Sequence, residues 1–211
     1  MSKLKLAICL VFFLGIIACK QHSSPVMLHT GDLLFRGTTS DNISEAIDKV
    51  TQTSAATHFS HVGIVEVLDS GIFVLHASPV GGTCEVSIKE FLHPKVDSVT
   101  VVAYRLKDQW QTAILEAIKK AKQMLGKPYN FSYIMSDTAH YCSEFVYLAF
   151  EADSVFELNP MTFKDPKTHD FSPAWVEYYQ KMGIKIPEGL PGCNPNGLAA
   201  SSKLVRLGTI N

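Results

Sequence analysis

The stretch from His140 to Phe150 is the strongest constraint on what this chain can fold into. Cys142, Phe145, Val146 and Ala149 fall at i, i+3, i+4 and i+7, along one face of an α-helix. A helix with such a face has to be buried, and this one carries a cysteine in its first turn. A thiol there meets unpaired backbone N–H groups and the positive end of the helix dipole. Both favour the thiolate, the nucleophilic form of cysteine. Free cysteine also serves as a small apolar core residue, so a nucleophile at Cys142 requires a base from elsewhere in the chain.

The stretch from His61 to His76 supplies one. His61–Val67 and Ile72–His76 are rich in β-formers, and Asp69-Ser70-Gly71 makes a turn between them. With Asp69 and Ser70 as the central turn residues, Leu68 pairs with Gly71, Val65 with Val74, and Gly63 with His76. His61 and His76 then share a face as diagonal neighbours, about 7–8 Å apart at the backbone and within side-chain reach. A slip of one residue would send them to opposite faces. Either histidine alone reads more simply as a satisfied half-buried group or a polar strand end; the pair on one face is what points to chemistry.

The N-terminus reads as a targeting segment. Lys3 and Lys5 precede an apolar run from Leu6 to Ile17, too short to span a bilayer but suited to a signal-peptide core. It ends in Ile16-Ile17-Ala18-Cys19, which resembles the lipobox of bacterial lipoproteins. That resemblance implies cleavage before Cys19 and lipidation of Cys19, which would hold the protein at a membrane surface of the bacterial cell envelope without a spanning helix. Loss of residues 1–18 removes Lys3 and Lys5 and no acid, so the formal charge moves from −1 to −3. No basic stripe remains, which argues against a nucleic-acid partner. Besides Cys19 the processed chain keeps Cys84, Cys142 and Cys193, an odd number that leaves at least one free thiol. A Cys84–Cys193 disulfide is open on sequence grounds.

The remainder predicts an ordinary alternation of elements. Residues 19–30 read as a tether. Gly31–Gly37 predicts a short strand, and Ser40–Thr51 a helix capped by Ser40, Asp41 or Asn42. Ser87-Ile-Lys-Glu90 is a capping box opening a short helix that Pro94 ends. Val99–Leu106 predicts a strand. Gln109–Leu125 predicts an amphipathic helix with Ile114, Ala117, Ile118, Ala121 and Leu125 inward and Gly126 as its stop. Ser172-Pro173 starts a further helix, and Pro187–Gly197 reads as surface loop.

Four motifs in order, Gly31-Asp-Leu-Leu-Phe35, Phe59-Ser-His-Val-Gly-Ile64, Gly126-Lys-Pro-Tyr129 and Tyr141-Cys-Ser-Glu-Phe145, resemble the permuted papain-fold amidases of the YiiX/YaeF type. These are relatives of the NlpC-type cell-wall endopeptidases and of lecithin retinol acyltransferase. The resemblance covers Thr30 to Ala152, with the histidines ahead of the cysteine as in the permuted order. It implies an α+β fold, a circularly permuted papain-like antiparallel sheet packed against helices. Residues 31–211 would form a single catalytic domain. It also implies Cys142 as nucleophile, His61 as general base and His76 as the group orienting the base. Relatives often carry an acid at that third position. Tyr129 takes an oxyanion or substrate-positioning role by the same resemblance.

The function so implied is a thiol hydrolase, an amidase or peptidase. It would act on a cell-envelope peptide or lipid-like amide or ester through an acyl-enzyme, with no cofactor and no metal. An acyltransferase on the same fold and a non-catalytic ligand-binding lipoprotein are the alternatives. A metal site from His58, His61, His76 and a cysteine is a third, though it lacks the close ligand spacing of zinc motifs. The enzyme reading expects the Cys142 sulfur within a few ångströms of a His61 nitrogen, and an unusually acidic thiol.

Overall fold

Strand β1 (Leu33–Gly37) shows how deep the sheet lies: Leu33, Leu34 and Phe35 are all fully buried, so both of its faces are covered. The computed structural model describes residues 26–37, 42–93 and 99–210. The signal segment, Cys19, Pro94 and the caps expected at Ser40 and Asp41 lie outside them. β1 sits inside a six-stranded antiparallel sheet with β2 (Phe59–Leu68), β3 (Gly71–Ser78), β4 (Gly82–Ser87), β5 (Val101–Leu106) and β8 (Leu204–Ile210), in the order β4-β3-β2-β1-β5-β8. A second, two-residue pairing joins β6 (Asn159–Pro160) to β7 (Pro191–Gly192).

The helices are α1 (Asn42–Val50), α2 (Ile88–Leu92), α3 (Ile114–Gln123), α4 (Cys142–Ala149), α5 (Pro173–Met182) and α6 (Pro195–Ala199). Side-chain alternation along the strands divides the core into two layers. Val62, Ile64 and Leu75 point to one face and pack with Phe145 and Val146 of α4 and Ala117 and Ala121 of α3. Val65 and Val74 point to the other and pack with Phe91 of α2. A third cluster joins Ala46 of α1 to Phe163 and to Trp175 and Tyr179 of α5. The mixed α+β architecture expected from sequence is thus the observed one.

The hairpin register also holds: Leu68 pairs with Gly71 and Val65 with Val74. The ladder stops at Ile64–Leu75, however, whereas β3 continues along β4 as far as Ser78–Gly82. Gly63 and His76 still face each other across this opening. A Cβ on Gly63 would lie 3.1 Å from His76 Cβ and 2.5 Å from a Val74 methyl, so only glycine lets His76 lie over β2 here.

Two expectations need correction, and one strand was missed. The start of the Gln109–Leu125 helix is 3₁₀, over Asp108–Ala113, and the α-helix proper is Ile114–Gln123. Strand β8 was not visible in the sequence, because its solvent-facing residues break any clear alternation. Pro187–Gly197 is not a plain surface loop. It contributes β7 and the start of α6, and its Gly192, Cys193 and Pro195 line a cavity.

Candidate active site

The N-terminus of α4 is fixed from three directions. The fully buried Glu144 carboxylate reaches back to accept the N–H of Tyr141 at 3.0 Å, the N–H of Ser136 at 2.7 Å and an amide hydrogen of Asn130 at 3.3 Å. Asn130 belongs to the segment after Gly126, whose φ of 83° ends the preceding helix. That segment is tied to β4 through Thr83, whose N–H donates to the Lys127 carbonyl. Gly82 makes the approach possible, since a Cβ there would meet Lys127 O at 2.2 Å. Tyr129 then bridges His140, two residues ahead of the cysteine. The Gly-Lys-Pro-Tyr motif is therefore a strut that sets Tyr129 beside the start of α4.

Cys142 is buried, and its sulfur rests against the open edge of β2, 3.9 Å from the Ser60 carbonyl oxygen. The N–H groups of Ser143, Val62 and Cys142 itself all favour its thiolate, as does the Arg36 charge. Burial outweighs them and pushes the thiol up to about 11. The acidic thiol expected from sequence is thus corrected: removal of water from the charged sulfur costs more than the helix start returns.

His61 and His76 come together as the register requires, with His61 Nε2 2.8 Å from His76 Nδ1 and both rings against Phe91. His76 Nε2 lies 3.5 Å from the Cys84 sulfur. Burial, the Arg36 charge and the His76 charge, in that order, hold His61 well below 6.5, and burial and Arg36 bring His76 to about 4. Both imidazoles are neutral at pH 7. One proton then lies between them. If His61 donates it from Nε2, its Nδ1 is left as an acceptor, and His76 carries its own proton on Nε2, toward Cys84. Among the described residues no hydrogen bond reaches His61 Nδ1.

The contact expected between Cys142 and His61 is not made. The sulfur bonds to the backbone on either side of His61, while the imidazole projects to the sheet face covered by α2. Strand alternation is the reason: Val62 and Ile64 point toward α4, so His61 points away. Cys142 and the His61 imidazole therefore lie on opposite sides of β2, close to where β2 and β3 part, with the sulfur against the strand's backbone at Ser60 and Val62.

Arg36 pairs with His61 across β1 and β2 and was missed in the sequence. Its guanidinium lies over the Phe91 ring at 5.3 Å and donates weakly to the Phe91 carbonyl at 3.5 Å; its Nε is buried without a partner. A lone charge in an otherwise apolar strand was the available signal. Tyr129 keeps its proton at neutral pH, because burial and then the neighbouring Tyr133 and Cys142 hold its hydroxyl well above 10. Tyr133, at the unusual φ of 56°, was also missed; no pattern in the sequence marks it.

Cys142, Ser60 and Tyr129 form one end of a cavity of about 360 Å³ whose far walls come from α1, α5 and the segment between Val155 and Lys203. Neither imidazole lines it. Cys193 does, and Cys84 sits against His76 in β4; both are free thiols, so no disulfide joins them. His58 is held by Asp48 at 2.9 Å. Among the described residues no three His, Cys, Asp or Glu side chains converge as a metal site needs.

A papain-like sheet, a cysteine at a buried helix start and a histidine pair ahead of it in sequence define the class. The chain belongs to the permuted papain-like amidases of the YaeF/YiiX type, the C92 family, whose model matches residues 27–208. It is similar to YiiX of Escherichia coli strain K12, an uncharacterised protein, at 30% identity over 125 residues. That match spans 58% of this chain and 57% of the relative. The crystal structure of YiiX from Escherichia coli O157:H7, described as a metalloprotein, superposes with a TM-score of 0.65 at 23% identity, covering 85% of this chain and 96% of that one.

Proposed function

We propose that this protein is a cysteine hydrolase that cleaves an amide or ester by acyl transfer to Cys142. The observation that carries this reading is the seam: a neutral, buried His61–His76 pair, with His61 on the strand whose open edge holds the Cys142 sulfur at the wall of a cavity. In the reaction, His61 Nδ1 takes the thiol proton as sulfur attacks the substrate carbonyl. The new S–C bond forms, the bond to the leaving group breaks, and His61 returns the proton to that group. Water then attacks the thioester with His61 as base, the C–S bond breaks, and the sulfur regains its proton. The developing oxyanion is met by the backbone N–H at the start of α4 and by the Tyr129 hydroxyl. Arg36 favours negative charge at the sulfur. His76 orients His61 and fixes its tautomer, with Cys84 behind it. Sulfur and imidazole start without a hydrogen bond, so the Michaelis complex has to draw His61 Nδ1 toward the seam, as apo sites often require.

The lipobox-like Ile16-Ile17-Ala18-Cys19 supports placement of the enzyme at a bacterial envelope membrane through lipid on Cys19. A panel of activated esters and N-acyl amides tests the reaction. Wild-type protein should turn over some of them, Cys142→Ala none, and His61→Ala should lose at least about a hundredfold in kcat/KM, the low end for a general base. Turnover by Cys142→Ala equal to wild type would make the ligand-binding alternative the better reading.

A further inference from the structure

Cys84 takes no part in the acyl transfer, yet its thiol ends a run of polar contacts that begins at the base. His61 Nε2 lies 2.8 Å from His76 Nδ1, and His76 Nε2 lies 3.5 Å from the Cys84 sulfur. The last contact is built into the sheet, since His76 and Cys84 are direct partners in the β3–β4 register and so share a face. Two neutral imidazoles and one thiol can fill this run in two ways. In the first, His61 Nε2–H donates to His76 Nδ1 and His76 Nε2–H donates to the sulfur, which leaves a lone pair on His61 Nδ1. In the second every donor is reversed. The Cys84 S–H donates to His76 Nε2, His76 Nδ1–H donates to His61 Nε2, and His61 carries its proton on Nδ1. Only the first leaves His61 able to take a proton from a nucleophile.

A thiol is both a weak donor and a weak acceptor, so the surroundings at the two ends decide. At the His61 end, an N–H on Nδ1 would have no acceptor among the described residues. It would also lie in the field of Arg36, which pairs with His61 from β1, the flank opposite β3, and whose charge acts on both imidazoles. A nearby cation favours a lone pair over an N–H, as side-chain dipoles orient in the protein field. At the other end, burial and then the Glu90 charge of α2 push the Cys84 thiol up, so it keeps its proton at neutral pH. Cys84 is only half-buried, on the edge strand β4, so its S–H can turn to solvent while a sulfur lone pair faces His76. Resting on the acyl-transfer reading above, we infer that Cys84 is a positioning residue: its sulfur accepts the His76 Nε2 proton and so selects the tautomer in which His61 Nδ1 is a base. Cys84 touches neither substrate nor the reacting sulfur and acts only through His76.

The test reads the tautomer and the turnover separately. Protein labelled with ¹⁵N at histidine gives imidazole nitrogen shifts that separate protonated from unprotonated ring nitrogens. In wild type at pH 7, His61 should be protonated on Nε2 and bare on Nδ1. Cys84→Val removes the acceptor, and a β-branched residue suits the strand; a melting curve checks that it folds. His76 Nε2–H is then stranded, so the pair should reverse and His61 Nδ1 should become protonated. Cys84→Ser, which keeps an acceptor, should hold the wild-type tautomer. On an activated ester that wild type turns over, Cys84→Val should lose at least about tenfold in kcat, part of the hundredfold or more a general base supplies, with KM unchanged. Cys84→Ser should keep most of the wild-type kcat. A proton on His61 Nδ1 in wild type, or an unchanged tautomer in Cys84→Val, would overturn the role of Cys84 and leave the hydrolase reading standing. A reversed tautomer in Cys84→Val with kcat unchanged would uphold the tautomer control and contradict His61 as the base. If no ester turns over, the hydrolase reading fails and the nitrogen shifts alone decide what Cys84 does.

Discussion

The two imidazoles decide how the thiol is used. In many thiol enzymes a charged sulfur–imidazolium pair exists before substrate arrives. Here burial disfavours both charges, with Cys142 pushed up to about 11 and His61 held well below 6.5. The resting state is a neutral thiol beside a neutral base. The acid limb of kcat/KM then follows protonation of His61. Activity should stay level from pH 8 through 6.5 and fall only well below it; a limb centred at 6.5 or higher would show that His61 is solvated when it acts. The same burial couples these groups to stability. His76 titrates at about 4 in the folded protein and near 6.5 when unfolded, so between those values the unfolded chain binds the extra proton. Stability is whole above pH 6.5 and declines toward pH 4, by about 3 kcal/mol from His76 alone. His61 adds in the same direction. Urea unfolding at pH 7 and pH 4.5 should show the decline, and His76→Gln should flatten it relative to wild type.

At the scale of elements, the site depends on struts far from the chemistry. Gly81 and Gly82 both have positive φ, at 94° and 70°, but only Gly82 is pressed against another backbone, that of Lys127. Gly81→Ala should cost about 1–2 kcal/mol, the usual left-handed penalty. Gly82→Ala should cost more and also lower kcat, because it moves the strut that carries Tyr129. A melting series with parallel activity assays separates the two. Glu144→Ala strands three donors at the start of α4, so it should lower stability by at least about 2 kcal/mol. Much of this framework was legible. The i, i+3, i+4, i+7 face of α4 was visible, and so was the Asp69-Ser70 turn, which fixed the hairpin register and brought the histidines together. The split between β2 and β3 was not visible, because where a ladder ends depends on tertiary packing that strand propensity does not report. Nor was the side of the sheet that faces α4. Alternation tells which residues share a face, not which helix covers it. The cavity walls were equally hidden, since Ile47, Phe163 and Trp175 are distant in sequence and meet only through α1 packing on α5.

As a whole molecule, the protein is a sheet whose central strands are buried on both faces, with Cys142 on one layer and the His61 and His76 imidazoles on the other. Residues after Ala152, which the family match also spans, supply much of the cavity's lining. In a bacterial host, mass analysis of the protein should show cleavage before Cys19 and an added lipid, and Cys19→Ala should leave the membrane fraction; unchanged membrane association of that variant would contradict the lipid anchor. The central claim, acyl transfer to Cys142 at the seam, is tested most directly by trapping the intermediate. Wild-type protein mixed with an activated acyl ester and quenched in acid should gain one acyl mass, and peptide mapping should place it on Cys142 as a hydroxylamine-labile thioester. Cys142→Ala should gain none, and His61→Ala should accumulate it far more slowly. Acylation at Cys84 or Cys193 instead, or none at Cys142 while the ester is being turned over, would contradict the account.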